Sequence, residues 1–327
     1  MDLGHVVITF KTGDANRILA QEFLREIAPV SFLDSLLPDQ REKTLREADA
    51  LLTWNLPKEL TDAELGMLTN VRLIQLLSAG ADHLSYAKLP AHIAIASNVG
   101  AYAEPMAEHV LALTLALAKN LVREHQNLGR GAFNQNSPNR MLRGAICGIL
   151  GFGGIGQATA RLMRGLNVRI HAVNTSGRTD EPVEFIGTLK DLHEVLAASD
   201  IAVISLPLTK TTRGLINARE LGWMKDNAIL INVARGDLID EAALYARLTS
   251  HPDFRAGIDA WWTEPFSSGV FATHYPFFAL PNVVGSPHNS AVVSGMSEES
   301  LRRALENVKR FLKGEAMKGV VKREDYI

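Results

Sequence analysis

Three short stretches carry side chains suited to one reaction: Asn232-Val233-Ala234-Arg235-Gly236, the run from Asp259 through Trp261 and Trp262 to Glu264-Pro265, and Ser286-Pro287-His288-Asn289-Ser290. An arginine offers a planar fork that grips a carboxylate through two hydrogen bonds and polarises a carbonyl beside it. A histidine changes charge in the range that a general acid or base needs near neutral pH. A carboxylate next to that histidine stabilises the imidazolium and orients the ring. Arg235, Glu264 and His288 together therefore suit the reduction of a small 2-keto acid, in which one group holds the acid and another protonates the new alkoxide. Singly, each has a plainer reading. Arg235 suits a surface ion pair, Glu264 a helix cap before proline, and His288 a half-buried structural histidine. What favours the joint reading is that all three follow apolar runs that read as strands.

A hydride donor is the other requirement, and a fourth stretch meets it. The run Ala145–Leu150 leads into Gly151-Phe152-Gly153-Gly154-Ile155-Gly156 and then into a helical pattern, Gln157–Arg164. In that strand–turn–helix setting, G-x-G-x-x-G reads as a dinucleotide fingerprint. Gly151 makes the tight turn, Gly153 lets backbone approach a pyrophosphate, and Gly156 lets helix and strand pack closely. The alternative is a structural glycine turn. The position about 20 residues on, where an acidic residue usually holds the ribose of NAD, is Asn174, followed by Ser176 and Arg178. With no carboxylate to repel a 2′-phosphate, and with hydroxyls and a guanidinium near, NADP is favoured over NAD. Asn174 could still hydrogen-bond a plain ribose.

These stretches need a scaffold that brings strand ends together. Short apolar runs alternate with amphipathic ones nearly throughout, which argues for βαβ units and parallel sheets with helices on both faces. Val6–Phe10, Ala50–Trp54, Leu73–Leu77 and Ile93–Ser97 read as strands of a first unit, with helices at Arg17–Ile27, Asp39–Ala48 and Thr61–Leu68. One long helix is expected over Glu104–Leu128. A second series follows at Ala145–Leu150, Val168–Val173, Ile201–Leu206, Ala228–Val233, Arg255–Asp259 and Val283–Ser286, closed by a helix at Ser297–Leu312. The chain order predicts a substrate domain from residues 1–100 plus 291–327, and a dinucleotide-binding domain, 101–290, inserted in it. A small-molecule cleft is expected between the two.

Composition narrows the class. At 327 residues the chain has the length of about two domains. Its 34 basic and 36 acidic residues leave a net charge of −2, with no basic field for nucleic acid. The longest apolar stretch, Val110–Ala118, is far below the roughly 20 residues of a membrane span. Met1–Phe10 carries Asp2 and no basic region, so no signal peptide is expected. One cysteine, Cys147, excludes an intramolecular disulfide and fits a reducing, cytoplasmic setting; mid-strand, it reads as a buried thiol. His83, His109, His125, His171 and His193 show no ligand spacing, so no metal is expected.

Taken together, these motifs resemble the D-isomer-specific 2-hydroxyacid dehydrogenases, with glyoxylate and hydroxypyruvate reductases among them. The resemblance extends to Leu206-Pro207-Leu208-Thr209, Ser78-Ala79-Gly80-Ala81-Asp82 and Ala103-Glu104-Pro105-Met106-Ala107-Glu108-His109, and so covers nearly the whole chain. It implies a Rossmann cofactor domain inserted into a flavodoxin-like substrate domain. It also implies that Arg235 binds the substrate's carboxylate and carbonyl oxygen, that His288 exchanges the proton, and that Glu264 pairs with His288. Backbone at Ala79 and Gly80 would grip the carboxylate. Asp259 would contact the nicotinamide carboxamide, and backbone at Leu206, Pro207 and Ala234 would line the cofactor, NADP or NAD. The resemblance further implies a homodimer built on the long helix. Glu264 stands where the related formate dehydrogenases carry glutamine, which disfavours formate oxidation. Trp261 and Trp262 suit either a substrate pocket or packing under the loop. From a different class, a dinucleotide-sensing binding protein or corepressor on the same fold is the alternative; the intact Arg235, Glu264 and His288 set argues against it. An anion such as phosphite is a minor third reading.

Overall fold

A computed structural model describes residues 4–327; Asp2 and its neighbours Met1 and Leu3 lie outside the described residues. Two compact units are present, one made of residues up to Tyr102 together with Ser294–Ile327, the other of Ala103–Val293.

The first unit holds a five-stranded parallel sheet of β1 (Val6–Ile8), β2 (Val30–Phe32), β3 (Ala50–Thr53), β4 (Leu73–Leu76) and β5 (Ala94–Ala96), in the order β2-β1-β3-β4-β5. That is the flavodoxin-like order. Alternate side chains serve two cores. Val7, Leu51, Ile74 and Ile95 pack with Leu45, Leu65 and Leu68 on one face. On the other, Val6, Ile8, Ala50, Leu52 and Leu73 pack with Leu301, Ala304, Leu305 and Val308. The last four belong to the helix Met296–Leu312, which returns the chain to this unit. The tail then pairs with the β5 edge: Ser97 donates its amide to the Gly319 carbonyl and Val321 to that of Ile95. Strand β2 has no counterpart among the expected strands. It is three residues long and lies at the sheet edge, too short to show a period. The helix expected over Thr61–Leu68 shrinks to Asp62–Leu65, held by a capping box between Thr61 and Glu64.

The second unit holds a seven-stranded parallel sheet: β6 (Ile146–Leu150), β7 (Arg169–Val173), β8 (Phe185–Gly187), β9 (Ile201–Ile204), β10 (Ile229–Asn232), β11 (Arg255–Ile258) and β12 (Val283–Gly285). The order β12-β11-β10-β9-β6-β7-β8 is the doubly wound dinucleotide arrangement with one further strand, its direction reversing between β6 and β9. Here too the short edge strand, β8, has no counterpart among the expected strands.

The single helix expected over Glu104–Leu128 is in fact two, Ala103–Ala118 and Leu121–Gly129. Asn120 breaks it, at φ +53°. Asparagine tolerates this left-handed conformation better than most residues, and its side-chain amide donates to the Pro138 carbonyl and to Asn139 Oδ1. The first helix packs through Ala103 and Ala107 on Ala158 of the helix Gly154–Gly165. Its last turn receives a hydrogen bond from the Arg255 guanidinium at the Leu117 carbonyl.

Candidate active site

All the expected cofactor and catalytic residues of the second unit follow carboxyl ends of its parallel strands, the edge where ligands of such sheets bind. Along that edge the order is Asn174 after β7, Gly151 after β6, Leu206 and Pro207 after β9, Ala234 and Arg235 after β10, Asp259 after β11, and His288 after β12. At about 4.8 Å per strand, Asn174 and Ala234 stand about 14 Å apart along the edge, an extended ligand's span.

The glycine turn fits a dinucleotide. Gly151 has φ +97°, and a Cβ there would lie 2.7 Å from the Ser205 carbonyl carbon and oxygen, so only glycine lets β6 exit against β9. Gly153, by contrast, is exposed and has nothing within 4 Å of where a Cβ would be. It precedes the helix Gly154–Gly165. The first amides of that helix, at Gly154, Ile155 and Gly156, have no partners within the helix and are ready to receive an anion. After β9, Thr212 shapes the approach: its hydroxyl donates to the Pro207 carbonyl and accepts from the Thr209 amide.

Asn174 plays a more local part than expected. Its Oδ1 accepts from the amides of Ser176 and Gly177, at 3.0 and 2.7 Å, and its Nδ2 donates to the Arg178 carbonyl. The side chain folds its own loop and thereby presents Ser176 and Arg178, both exposed.

Arg235, Glu264 and His288, the three residues expected to be catalytic, lie on the loops that follow three adjacent strands, β10, β11 and β12. Half-buried Arg235 is held by the buried Asn232, whose Nδ2 donates to the Arg235 carbonyl while its Oδ1 accepts from the Ala234 amide. Gly236 follows, and a Cβ there would meet the Trp261 carbonyl carbon at 2.3 Å. This close approach seats the Arg235 loop directly on the loop after β11. Glu264, 13% exposed at its side chain, uses both oxygens: Oε1 accepts from the Trp261 amide at 2.6 Å, and Oε2 from His288 Nδ1 at 2.7 Å. With Nδ1 engaged by Glu264, Nε2 is the remaining ring nitrogen. His288 has φ +51°, a left-handed conformation that costs a non-glycine residue about 1–2 kcal/mol. Such strain persists only where the surroundings over-determine it.

They do so here through residues that the sequence did not mark out for this purpose. Asp259 is fully buried. Its carboxylate accepts from Ser286 Oγ at 2.6 Å, from the Asn289 amide at 3.2 Å and from the Ser290 amide at 3.3 Å. Those partners flank His288 on both sides, and they differ from the carboxamide contact that the resemblance implies for Asp259. Trp261 adds a hydrogen bond from Nε1 to the Ser286 carbonyl. Trp262 donates from Nε1 to the Ile239 carbonyl and stacks on Phe277. Both tryptophans thus pack under the loops. His109, which shows no ligand spacing in the sequence, has its Nε2 2.8 Å from Ser286 Oγ. A paired spacing could have revealed none of these, because 177 positions separate His109 from Ser286.

In the first unit, Ala79 and Gly80 are half-buried just beyond β4. Ser78 Oγ donates to the Gly80 carbonyl, and Tyr86 Oη donates to that of Ala81, which fixes the loop's backbone. Cys147 is fully buried, and burial pushes its thiol up to about 12, far from a nucleophile's range. Among the described residues no helix is long and apolar enough to cross a membrane, and no group of three or more metal-ligating side chains is gathered.

Comparison with known proteins places the chain in a family. The family model of the D-isomer specific 2-hydroxyacid dehydrogenase NAD binding domain matches residues 111–290. Hydroxypyruvate reductase of Thermotoga maritima is 31% identical over 284 residues, covering 86% of this chain and 89% of that protein. Glyoxylate reductase of Aeropyrum pernix is 32% identical over 321 residues, covering 93% of each. Among solved structures, a D-isomer specific 2-hydroxyacid dehydrogenase from Xanthobacter autotrophicus, in complex with NADPH and MES, superimposes with a TM-score of 0.81 at 27% identity and covers 99% of both chains. The fold, the glycine turn and these relatives agree: the chain belongs to the D-isomer specific 2-hydroxyacid dehydrogenase family, NAD(P)-dependent oxidoreductases that interconvert 2-keto and D-2-hydroxy acids.

Proposed function

We propose that this enzyme reduces glyoxylate, hydroxypyruvate or a similarly small 2-keto acid with NADPH, with His288 as the acid–base group. The bound dinucleotide supplies the hydride; the chain's own residues hold the acid and manage the proton. Arg235 binds the carboxylate and carbonyl oxygen of the substrate, and backbone amides at Ala79 and Gly80 share the carboxylate. His288 delivers a proton from Nε2 to the forming alkoxide, and Glu264 stabilises the imidazolium and fixes its ring. Gly151, Gly153, Gly154, Ile155 and Gly156 receive the pyrophosphate, and backbone at Leu206, Pro207 and Ala234 lines the cofactor. Ser176 and Arg178 receive the 2′-phosphate on the loop that Asn174 folds. Asp259 lies at the nicotinamide end, where its carboxylate steadies the loop of His288.

The observation that carries the reading is the 2.7 Å hydrogen bond between His288 Nδ1 and Glu264 Oε2, residues that follow the next two strands of the sheet beyond that of Arg235. A binding protein that only senses a dinucleotide has no need of an imidazole strained into that contact. The test is a panel of 2-keto acids assayed against NADPH and NADH, with kcat/KM compared. Oxidation of cofactor by glyoxylate or hydroxypyruvate is expected, and its absence with every acid would favour the sensor. His288→Ala should lower kcat by about a thousandfold.

The same reading includes a homodimer in the cytoplasm. The helix Leu121–Gly129 buries none of its residues in this chain, and Leu121, Leu128, Phe133 and Met141 are all more than half exposed. Apolar surface of this kind is what a second copy covers. A lone reduced thiol suits a reducing compartment. Light scattering on the purified protein at micromolar concentration tests the dimer.

A further inference from the structure

His109 lies on the helix Ala103–Ala118, and Ser286 directly follows β12. The direction of each hydrogen bond between them and Asp259 follows from chemistry. An ionised carboxylate only accepts, so Ser286 Oγ gives its one proton to Asp259 Oδ1 at 2.6 Å. The hydroxyl can then only accept from His109 Nε2, at 2.8 Å, which must carry its proton on that nitrogen. The same His109 nitrogen is 3.7 Å from Asp259 Oδ1. A directed relay therefore runs from His109 through Ser286 to Asp259, and it ends on the amides of Asn289 and Ser290.

We infer that His109 is a positioning residue for His288, acting through Ser286 and Asp259. This rests on the reading of His288 as the acid–base group. His288 stands between Ser286 and Asn289, both tied to one buried carboxylate, and its left-handed backbone is held from either side. The carboxylate needs donors because burial removes its water. His109 sets which way the Ser286 hydroxyl points, and so keeps the Ser286 end of the clamp closed. Without the imidazole N–H, that hydroxyl is free to turn from Asp259 toward other acceptors. The segment around His288 then loosens, and its ring leaves the Glu264 contact for part of the time. A 1 Å misplacement of a catalytic group can cost about a hundredfold in rate.

Four variants, assayed with glyoxylate and NADPH, test this. His109→Phe should lower kcat at least about tenfold, with KM for glyoxylate and the NADPH Kd from fluorescence titration within about twofold of the parent. Ser286→Ala, a smaller change that carries the test if His109→Phe fails to fold, should do the same. The double variant should be no worse than the more impaired single, because both break one relay. His109→Gln, which restores an N–H donor, should regain most of the lost rate. Amide exchange at Asn289 and Ser290 in the cofactor-free enzyme should quicken in His109→Phe. A kcat within twofold of the parent in His109→Phe and Ser286→Ala, losses that multiply in the double variant, or a His109→Gln enzyme as slow as His109→Phe would each overturn the proposal. His288→Ala separates the two readings. If it keeps the parent's turnover, the acid–base assignment fails and the positioning role falls with it. If it is slow while His109→Phe is not, only the positioning role is lost.

Discussion

Replacing Glu264 by glutamine isolates the charge of the carboxylate from its structural duty. In the parent, Oε1 holds the Trp261 amide at 2.6 Å and Oε2 holds His288 Nδ1 at 2.7 Å. Glutamine keeps one oxygen for the buried Trp261 amide, and its NH2 group then faces Nδ1. That nitrogen must become an acceptor, so the ring holds its proton on Nε2 and loses the partner of its cationic form. A hydrogen bond to a charged group contributes about 1.5–3 kcal/mol. His288 is 34% exposed at its side chain, and solvent there screens the pair, which places the loss in the lower half of that range. At about 1.4 kcal/mol per decade, kcat with glyoxylate and NADPH should fall about ten- to fiftyfold. The thermal midpoint should stay close to the parent's, because the Trp261 amide keeps its acceptor. Glu264→Ala is the contrast: it also leaves that buried amide unpaired, at a cost of about 1–3 kcal/mol, and should lower the midpoint by several degrees. A Glu264→Gln enzyme with undiminished kcat would refute the reasoning. So would one whose midpoint falls as far as that of Glu264→Ala, since Glu264 would then be a loop support and no more.

Asn174→Asp keeps the acceptor for the Ser176 and Gly177 amides and removes the donor to the Arg178 carbonyl. The loop should hold while the new charge repels a 2′-phosphate, so the kcat/KM ratio of NADPH to NADH should drop by about tenfold or more; an unchanged ratio would count against phosphate recognition on this loop. Cys147 should be inert to a thiol reagent in the native enzyme and titrate as one thiol after denaturation, because burial lifts it to about 12. Asp200 has an acid dissociation set by opposing influences: burial works against its charge, but the Ile146 amide, Lys225 and Arg140 together hold the carboxyl below its ordinary value of 3.8. A depressed carboxyl contributes stability that is complete above its unfolded value and lost as pH falls through the folded one. Asp200→Asn should therefore lower the thermal midpoint at pH 7, and the gap from the parent should narrow progressively as pH falls below about 4; a gap that stays constant down to pH 3 would contradict this.

How far the sequence alone reaches depends on the range of the contacts involved. Strands such as Ile201–Ile204 and Ile229–Asn232 are buried along their whole length, so they show as unbroken apolar runs. The ends of those runs locate Arg235, Glu264 and His288 because a parallel sheet directs every carboxyl end to one edge. The edge strands Val30–Phe32 and Phe185–Gly187 have three residues each and only partial burial, and they leave no such run. Asn120 was hidden for another reason. Its neighbours keep helical patterning on both sides, and the break depends on Pro138 and Asn139, contacts made only after folding.

The site divides along the same line. The placement of Arg235, Glu264 and His288 beyond strand ends is legible in the sequence, whereas the means of holding them there is not. The left-handed His288 carries no glycine or asparagine to announce it. What holds it is a carboxylate 29 positions earlier, a hydroxyl two residues before it, and an imidazole on a helix at the start of the same unit. Each of these three has an ordinary reading in isolation: a buried aspartate, a serine at a strand end, a helical histidine. Their meaning comes from one constraint. A buried carboxylate must be fully served by donors, and the donors to Asp259 belong to the segment that carries His288. The need to satisfy one buried charge thereby fixes the backbone of a residue whose own side-chain hydrogen bond goes to Glu264.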